Sequence, residues 1–307
     1  MCCALSAKTV ATKQVENGGP GPYKAEIVQD SGLQGYVIVR PVDLASAVSV
    51  EGKLPVILFG NGGCSRDASD FYNFLTNIAS RGYVIISNAL EIERKPVLQQ
   101  APPQGGAAAF SREAMMEGFK KAEKQNVLDA KDYLKALDYL QGQNNSKKSE
   151  YYQMLATDNV AAMGQSCGGG QALILGASGD PRIRTTVPLN SGVAYLDDGN
   201  TWMLTKEDLQ KINHPMCYII GGPTDVAYPN AADDYKRISH VPVAVCNLPV
   251  GHGGTYAQPG GGTFAEMAIL WLDYQLKGKV ENEPVFRYSV LPSHLQKAGW
   301  KVNSKNF

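Results

Sequence analysis

The sequence contains no apolar run approaching the roughly 18–20 residues of a membrane-spanning helix, so a soluble chain is expected. It has no excess of either charge, with 29 Lys and Arg against 29 Asp and Glu. That balance lacks the footprint of a nucleic-acid or anionic-membrane partner, and no nucleic acid is expected. None of the six cysteines falls in a C-x-x-C, and no His pair stands at zinc spacing. No metal is therefore expected. Residues 1–11 have neither a basic segment nor a long apolar one, so they do not read as an intact secretory signal. A secreted protein with its signal removed and a cytoplasmic one both fit. Histidine is scarce too, with only four in 307 residues: His214, His240, His252 and His294.

What is present is an alternating rhythm. Hydrophobic residues make up 44%, enough for a buried sheet. Runs at 55–60 and 83–86 read as strands buried on both faces, and further strands are read at 160–163, 184–189 and 216–222. Helical character follows at 70–80, 126–140, 169–177, 230–238 and 263–276. Residues 24–30 and 35–40 read as an antiparallel pair joined through Ser31-Gly32. Residues 41–52 read as a connection, and 241–248 as a strand that Pro242 keeps near the sheet edge. The alternation predicts an α/β fold, a mostly parallel sheet with helices on both faces. The expected organisation is a surface arm at 1–23, one domain at 24–278 and a tail at 279–307 packed on it. Residues 91–120 break the rhythm with Pro96, Pro102-Pro103 and Gly105-Gly106. An insertion this long is either a cap or lid over the site or a surface excursion. Asn144-Asn145-Ser146 forms a glycosylation sequon on a polar loop.

Reactive groups in open α/β sheets gather beyond the carboxyl ends of strands. After the run at 160–163 comes Gly164-Gln165-Ser166-Cys167-Gly168, then a helix. In that strand–turn–helix setting, G-x-S-x-G is the pattern of a nucleophile elbow, with glycines where the turn is too tight for side chains. A serine hydroxyl is a weak nucleophile and needs an imidazole base, itself oriented by a carboxylate. Of the four histidines only His252 follows a strand, with glycines on both sides in Gly251-His252-Gly253. His214 and His240 precede strands, and His294 lies in the tail. Asp225 follows Gly221-Gly222 at a strand end and is the candidate acid, ahead of Asp197, Asp198, Asp233 and Asp234. The order Ser166, Asp225, His252 is that of a Ser…Asp…His hydrolase.

An oxyanion in the transition state needs preorganised N–H donors. Cys167, at the helix start, is one candidate; Gly63, in Asn61-Gly62-Gly63-Cys64, is the other, with Cys64 second. Cys64 and Cys167 each adjoin the expected site, and the sequence leaves open whether they pair. Cys217 and Cys246 lie in apolar runs and read as packing residues. Tyr195 and Trp202 are candidate substrate-binding residues lining an apolar pocket, or else core aromatics.

Taken together, Phe59-Gly60-Asn61-Gly62-Gly63, Gly164-Gln165-Ser166-Cys167-Gly168-Gly169-Gly170 and Gly222-Pro223-Thr224-Asp225-Val226-Ala227-Tyr228-Pro229 resemble the α/β-hydrolases. The likeness runs from about residue 24 to 278. It is to the branch of dienelactone hydrolases, platelet-activating-factor acetylhydrolases and cutinase-like polyester hydrolases. The resemblance implies an α/β-hydrolase fold with an eight-stranded sheet, a serine acyl-enzyme and no cofactor. Asn61 stands where many relatives have His, and Cys167 where polyester hydrolases often have Met. The expected function is a serine esterase acting on a small-molecule carboxylic ester. A serine peptidase or amidase, or an acyltransferase, would use the same triad, and a non-catalytic binding protein is the reading from a different class.

Overall fold

The computed structural model describes residues 8–93, 130–194 and 204–307. Ten strands among them form one sheet. They are β1 (Thr9–Lys13), β2 (Ala25–Asp30), β3 (Tyr36–Pro41), β4 (Leu54–Gly60), β5 (Val84–Asn88), β6 (Leu155–Gln165), β7 (Ile183–Leu189), β8 (Met216–Ile220), β9 (Val243–Asn247) and β10 (Lys301–Lys305). Their spatial order is β1-β2-β3-β5-β4-β6-β7-β8-β9-β10. The block from β5 to β9 is parallel throughout. The four outer pairings are antiparallel. The protein is therefore α/β with a mostly parallel sheet.

The helices are α1 (Leu44–Glu51), α2 (Tyr72–Ala79), α3 (Ala130–Asn144), α4 (Cys167–Gly176), α5 (Tyr228–Arg237), α6 (Gly262–Lys277), α7 (Glu283–Arg287) and α8 (Ser293–Ala298). Side chains alternate across a strand, and the central strands are apolar on both faces. Ile57 and Phe59 of β4 join α2 and α6 in one core cluster, around Phe74, Phe264 and Trp271. Val56 and Leu58 join α1, α3 and α4 on the other side, around Tyr133, Leu137 and Leu175. The same side continues under α5 through Tyr218, Ile220 and Ala231. No helix among the described residues is long and apolar enough to cross a membrane.

Several expectations need correction. The sheet has ten strands, not eight. The two extra strands sit in the segments read as arm and tail: β1 pairs with β2, and β10 with β9. Both are short and largely exposed, so their own side chains carry little strand pattern, and the neighbouring ladder decides their conformation. β9 does lie near the sheet edge, one strand in from it beside β10, and Pro242 stands just before it. The connection at 41–52 contains α1, whose first turn is capped by Asp43 accepting the Ser46 N–H at 2.9 Å. Asn144 is not on a loop. It ends α3, is buried, and exchanges two hydrogen bonds with the Leu155 backbone, its amide donating to the carbonyl at 3.0 Å and its Oδ1 accepting from the N–H at 2.9 Å.

The segment at 279–307 packs on the body through Phe286 and Trp300. Phe286 meets Trp271 edge-on at 4.9 Å between ring centroids, and Trp300 lies 5.2 Å from Phe264. Trp271 also donates its indole N–H to Thr185 Oγ1 at 2.8 Å and is fully buried. Trp271→Ala would remove that aromatic volume and the indole donor to Thr185 Oγ1, whose hydroxyl keeps its own bond to the Pro215 carbonyl at 2.8 Å. The expected loss is about 3–5 kcal/mol of unfolding free energy, measured by denaturant titration. A loss below about 1 kcal/mol would mean that the α6 face is not the tightly packed core described.

Candidate active site

β6 ends at Gln165 and α4 begins at Cys167, so Ser166 alone makes the turn. Its backbone sits at φ 53° and ψ −117°, a conformation that non-glycine residues rarely adopt. Ser166 N–H donates to the Leu189 carbonyl at 2.9 Å, and its own carbonyl accepts from Gly169 N–H and Ser191 Oγ. The flanking glycines are required by contact. A Cβ on Gly164 would lie 2.3 Å from the Gly168 carbonyl oxygen, and one on Gly168 would lie 2.0 Å from that of Gly60.

The structure brings Ser166, His252 and Asp225 together. His252 Nε2 is 2.9 Å from Ser166 Oγ, and His252 Nδ1 is 2.7 Å from Asp225 Oδ1. An ionised carboxylate only accepts, so Nδ1 donates to Asp225 and Nε2 faces the Ser166 hydroxyl. Each residue follows a parallel strand: Ser166 after β6, Asp225 after β8, His252 after β9. The His252 carbonyl also accepts from Gln165 Nε2 at 3.1 Å, which ties its loop to the elbow.

Asp225 is 1% exposed. Burial alone would push its pKa up. The hydrogen bond and charge of His252, with Ala227 N–H and Asn190, outweigh that and hold the carboxyl below its usual range. Besides His252, it accepts from Asn190 Nδ2 at 2.7 Å, Gly221 N–H at 3.0 Å and Ala227 N–H at 3.0 Å. The sequence does not single out Asn190, although it directly follows β7 and obeys the same strand-end rule. Its Oδ1 accepts from Tyr256 OH, and the Tyr256 ring is wedged edge-on against Phe71, Phe74 and Phe264.

Gly63 lies in the short turn Gly62–Cys64 after β4, at φ 63°. A disulfide joins Cys64 to Cys167 across 103 residues of sequence, so the turn containing Gly63 is bonded to the first residue of α4. The two candidate donor residues, Gly63 and Cys167, thus stand on adjoining segments beside Ser166. A small space of about 20 Å³ adjoins Ser166, lined among others by Gly170, Ser191, Ala194 and Leu204. A wider one of about 400 Å³ opens beside His252, lined by Ser69, Asp70, Phe71, Asn73 and Gln165. Another, of about 630 Å³, lies away from Ser166 around Asn77, Arg81 and Ile269 and is lined by no Ser, Thr or Cys among the described residues. Tyr195, Trp202 and residues 94–120 of the expected insertion lie outside the described residues, as do Asp197 and Asp198.

The search for similar proteins finds neither a family model nor a curated protein that matches this chain.

The other titratable candidates are engaged elsewhere. Asp234 is buried against Lys206 and accepts the Val193 N–H at 2.8 Å, while Asp233 bonds Arg237 at 3.0 Å. His240 meets the Ile212 carbonyl and His294 meets Glu266. Among the described residues no group of three or more His, Cys, Asp or Glu could hold a metal ion. Cys217 and Cys246 are buried free thiols on neighbouring strands, their sulfurs 3.6 Å apart.

His214 is buried with Nε2 at 2.8 Å from Thr186 Oγ1. Burial, with the charge of Arg184, lowers its pKa to about 4. The unfolded chain binds this proton near pH 6.5 and the folded one only near 4. Stability from this group is therefore full above about pH 6.5 and is lost as pH falls towards 4, by roughly 3 kcal/mol. His214→Gln should flatten that part of the acid limb, read from unfolding free energies of both proteins at pH 6.5 and 4. An unchanged acid slope would refute the assignment.

Proposed function

We propose that this chain is a serine hydrolase of the α/β-hydrolase type, cleaving a small-molecule carboxylic ester through an acyl-enzyme and without a cofactor. The observation that carries the reading is the unbroken hydrogen-bonded chain from Ser166 Oγ through both ring nitrogens of His252 to the buried Asp225. General-base activation of a hydroxyl needs that order of groups, whereas a binding module needs none of them. The parallel block from β5 to β9 with helices on both sides supports the α/β-hydrolase reading. The three stretches that resemble the dienelactone hydrolase, platelet-activating-factor acetylhydrolase and cutinase-like branch supply the loops around Ser166, which supports it further.

In this reading Ser166 Oγ attacks the ester carbonyl as its proton passes to His252 Nε2. Asp225 holds the imidazole in the tautomer that can accept, and stabilises the cation that forms. The oxyanion is received by the N–H groups of Cys167 and Gly63, where the start of α4 adds a favourable dipole. His252 then delivers its proton to the leaving alcohol. A water attacks the acyl-enzyme with His252 as base, and the acid departs with Ser166 restored.

Ser166→Ala should keep the unfolding midpoint within a few degrees and reduce p-nitrophenyl acetate turnover by roughly 10³-fold or more. Asp225→Asn should lower kcat by roughly 10⁴-fold by leaving His252 in the wrong tautomer. Full activity in either variant would refute these roles. Turnover of an anilide but not of an ester would favour the amidase. A folded wild type that hydrolyses neither and takes no fluorophosphonate on Ser166 would favour a binding protein.

A further inference from the structure

The turn after β4 is an unusual thing to build a site on. It is only Gly62–Cys64, yet Gly63 has φ 63° and Cys64, a non-glycine, has φ 48°. Glycine adopts such a conformation freely, but at Cys64 it costs about 1–3 kcal/mol and persists only where the surroundings over-determine it. Here the surroundings grip the turn at both ends. Asn61, fully buried, donates through Nδ2 to the Ser65 carbonyl at 3.0 Å and to the Asn88 carbonyl at 2.7 Å, and accepts from Ser87 Oγ at 2.8 Å. Asn88 Nδ2 donates to the same Ser65 carbonyl at 2.6 Å, and Tyr133 OH donates to Asn88 Oδ1. These bonds fix where the turn starts and stops. Backbone contact of Gly60 and Asn61 with Gly168 brings the start of the turn against α4, and the Cys64–Cys167 disulfide ties its last residue to the first residue of α4, with the two Cα atoms 5.2 Å apart.

We infer that the Cys64–Cys167 disulfide is a positioning element for the reaction, and that the activity depends on its oxidation state. The inference rests on the reading of Ser166 as nucleophile with Gly63 and Cys167 as oxyanion donors. The bond joins the neighbour of one donor to the residue that carries the other. Oxyanion donors are worth most when their spacing is fixed before the charge arrives, and a misplacement of about 1 Å can cost roughly 10²-fold in rate. With the bond broken, the glycine-flanked turn keeps those anchors, but its end at Cys64 is released from α4. Ground-state binding does not use the oxyanion geometry, so the loss falls on kcat rather than KM. Reduction by a dithiol balances simply. One thiolate attacks the disulfide to give a mixed disulfide, and the second thiol displaces the cysteine. Cys64 and Cys167 end as thiols while the reagent leaves as its cyclic disulfide, having supplied two electrons and two protons. Cys64, the more exposed of the two, is the nearer target.

The test compares oxidised wild type with the double variant Cys64→Ser/Cys167→Ser, which keeps L side chains on the same backbone. kcat and KM on p-nitrophenyl acetate and the Ki of an aryl trifluoromethyl ketone, whose serine adduct bears an oxyanion, are measured well below the unfolding midpoint. The expected result is a kcat lower by about 10- to 100-fold, KM within about twofold, and a Ki weakened in parallel with kcat/KM. A bond serving only stability would lower the midpoint and leave kcat and Ki unchanged, which overturns the inference. Should the variant fail to fold, wild type is treated with dithiothreitol, its free thiols at Cys64 and Cys167 confirmed by alkylation and mass spectrometry. The same kcat-selective loss, reversed on reoxidation, supports the inference, and full kcat in the reduced protein overturns it. An oxidised wild type that turns over no ester and takes no fluorophosphonate would instead refute the hydrolase reading itself.

Discussion

Backbone meets backbone where β4, β6 and α4 converge, because Gly60, Gly164 and Gly168 carry no side chains there. The closeness of that crossing sets everything above it. It lets the chain reverse at one residue, which puts Ser166 at the apex and Cys167 at the first position of α4. It also brings the end of β4 within bonding distance of α4, so that Cys64 and Cys167 can meet. Any side chain at Gly168 would have to displace the Gly60 carbonyl, and with it both segments of the site. The strained backbone of Ser166 is held by the same crossing, together with the bond its N–H donates to Leu189 of β7 and those its carbonyl accepts from Gly169 and Ser191.

A second constraint is electrostatic. Asp225 is a carboxylate almost without solvent, a costly state unless its oxygens are satisfied. Four donors supply that: one from the end of β7, one from the end of β8, one at the start of α5 and one from His252. The carboxylate thus gathers the ends of several strands, and the charge it keeps fixes the orientation of the imidazole. Tyr256 extends this to the core, since its ring sits among Phe71, Phe74 and Phe264 while its hydroxyl bonds Asn190. Packing on the α2–α6 face is in this way coupled to the position of Asp225.

Much of this was readable from local pattern, and the limits are instructive. The central strands could be read because they are buried on both faces, so their sequence is apolar whatever lies beside them. The spacing of Ser166, Asp225 and His252 could be read because strand ends in such sheets point to one rim. β1 and β10 could not, because an edge strand with exposed side chains takes its shape from the neighbour that it bonds. Nor could α1, an eight-residue helix of mixed small residues whose signal is mainly its Asp43 cap. Asn190 and Tyr256 were missed for another reason. Their roles are hydrogen bonds to a residue far along the chain, and no spacing rule announces such a bond. The pairing of Cys64 with Cys167 stayed open for the same cause: it depends on the glycine crossing, which is a fact of three dimensions.

The two outermost strands among the described residues come from opposite parts of the chain, β1 near one end of the numbering and β10 near the other. At about 4.8 Å per strand they stand on the order of 40 Å apart across the sheet. Each ends in lysine, Lys13 on β1 and Lys301 and Lys305 on β10. An edge presents unpaired backbone groups that invite another molecule's strand, and lysines on such an edge act as gatekeepers against it. The apolar inner strands are therefore shielded by two short, charged selvedges. Loss of either would make β2 or β9 the sheet's edge, with Ile27 and Val28 or Val243 and Cys246 buried in it, and leave a template for strand addition.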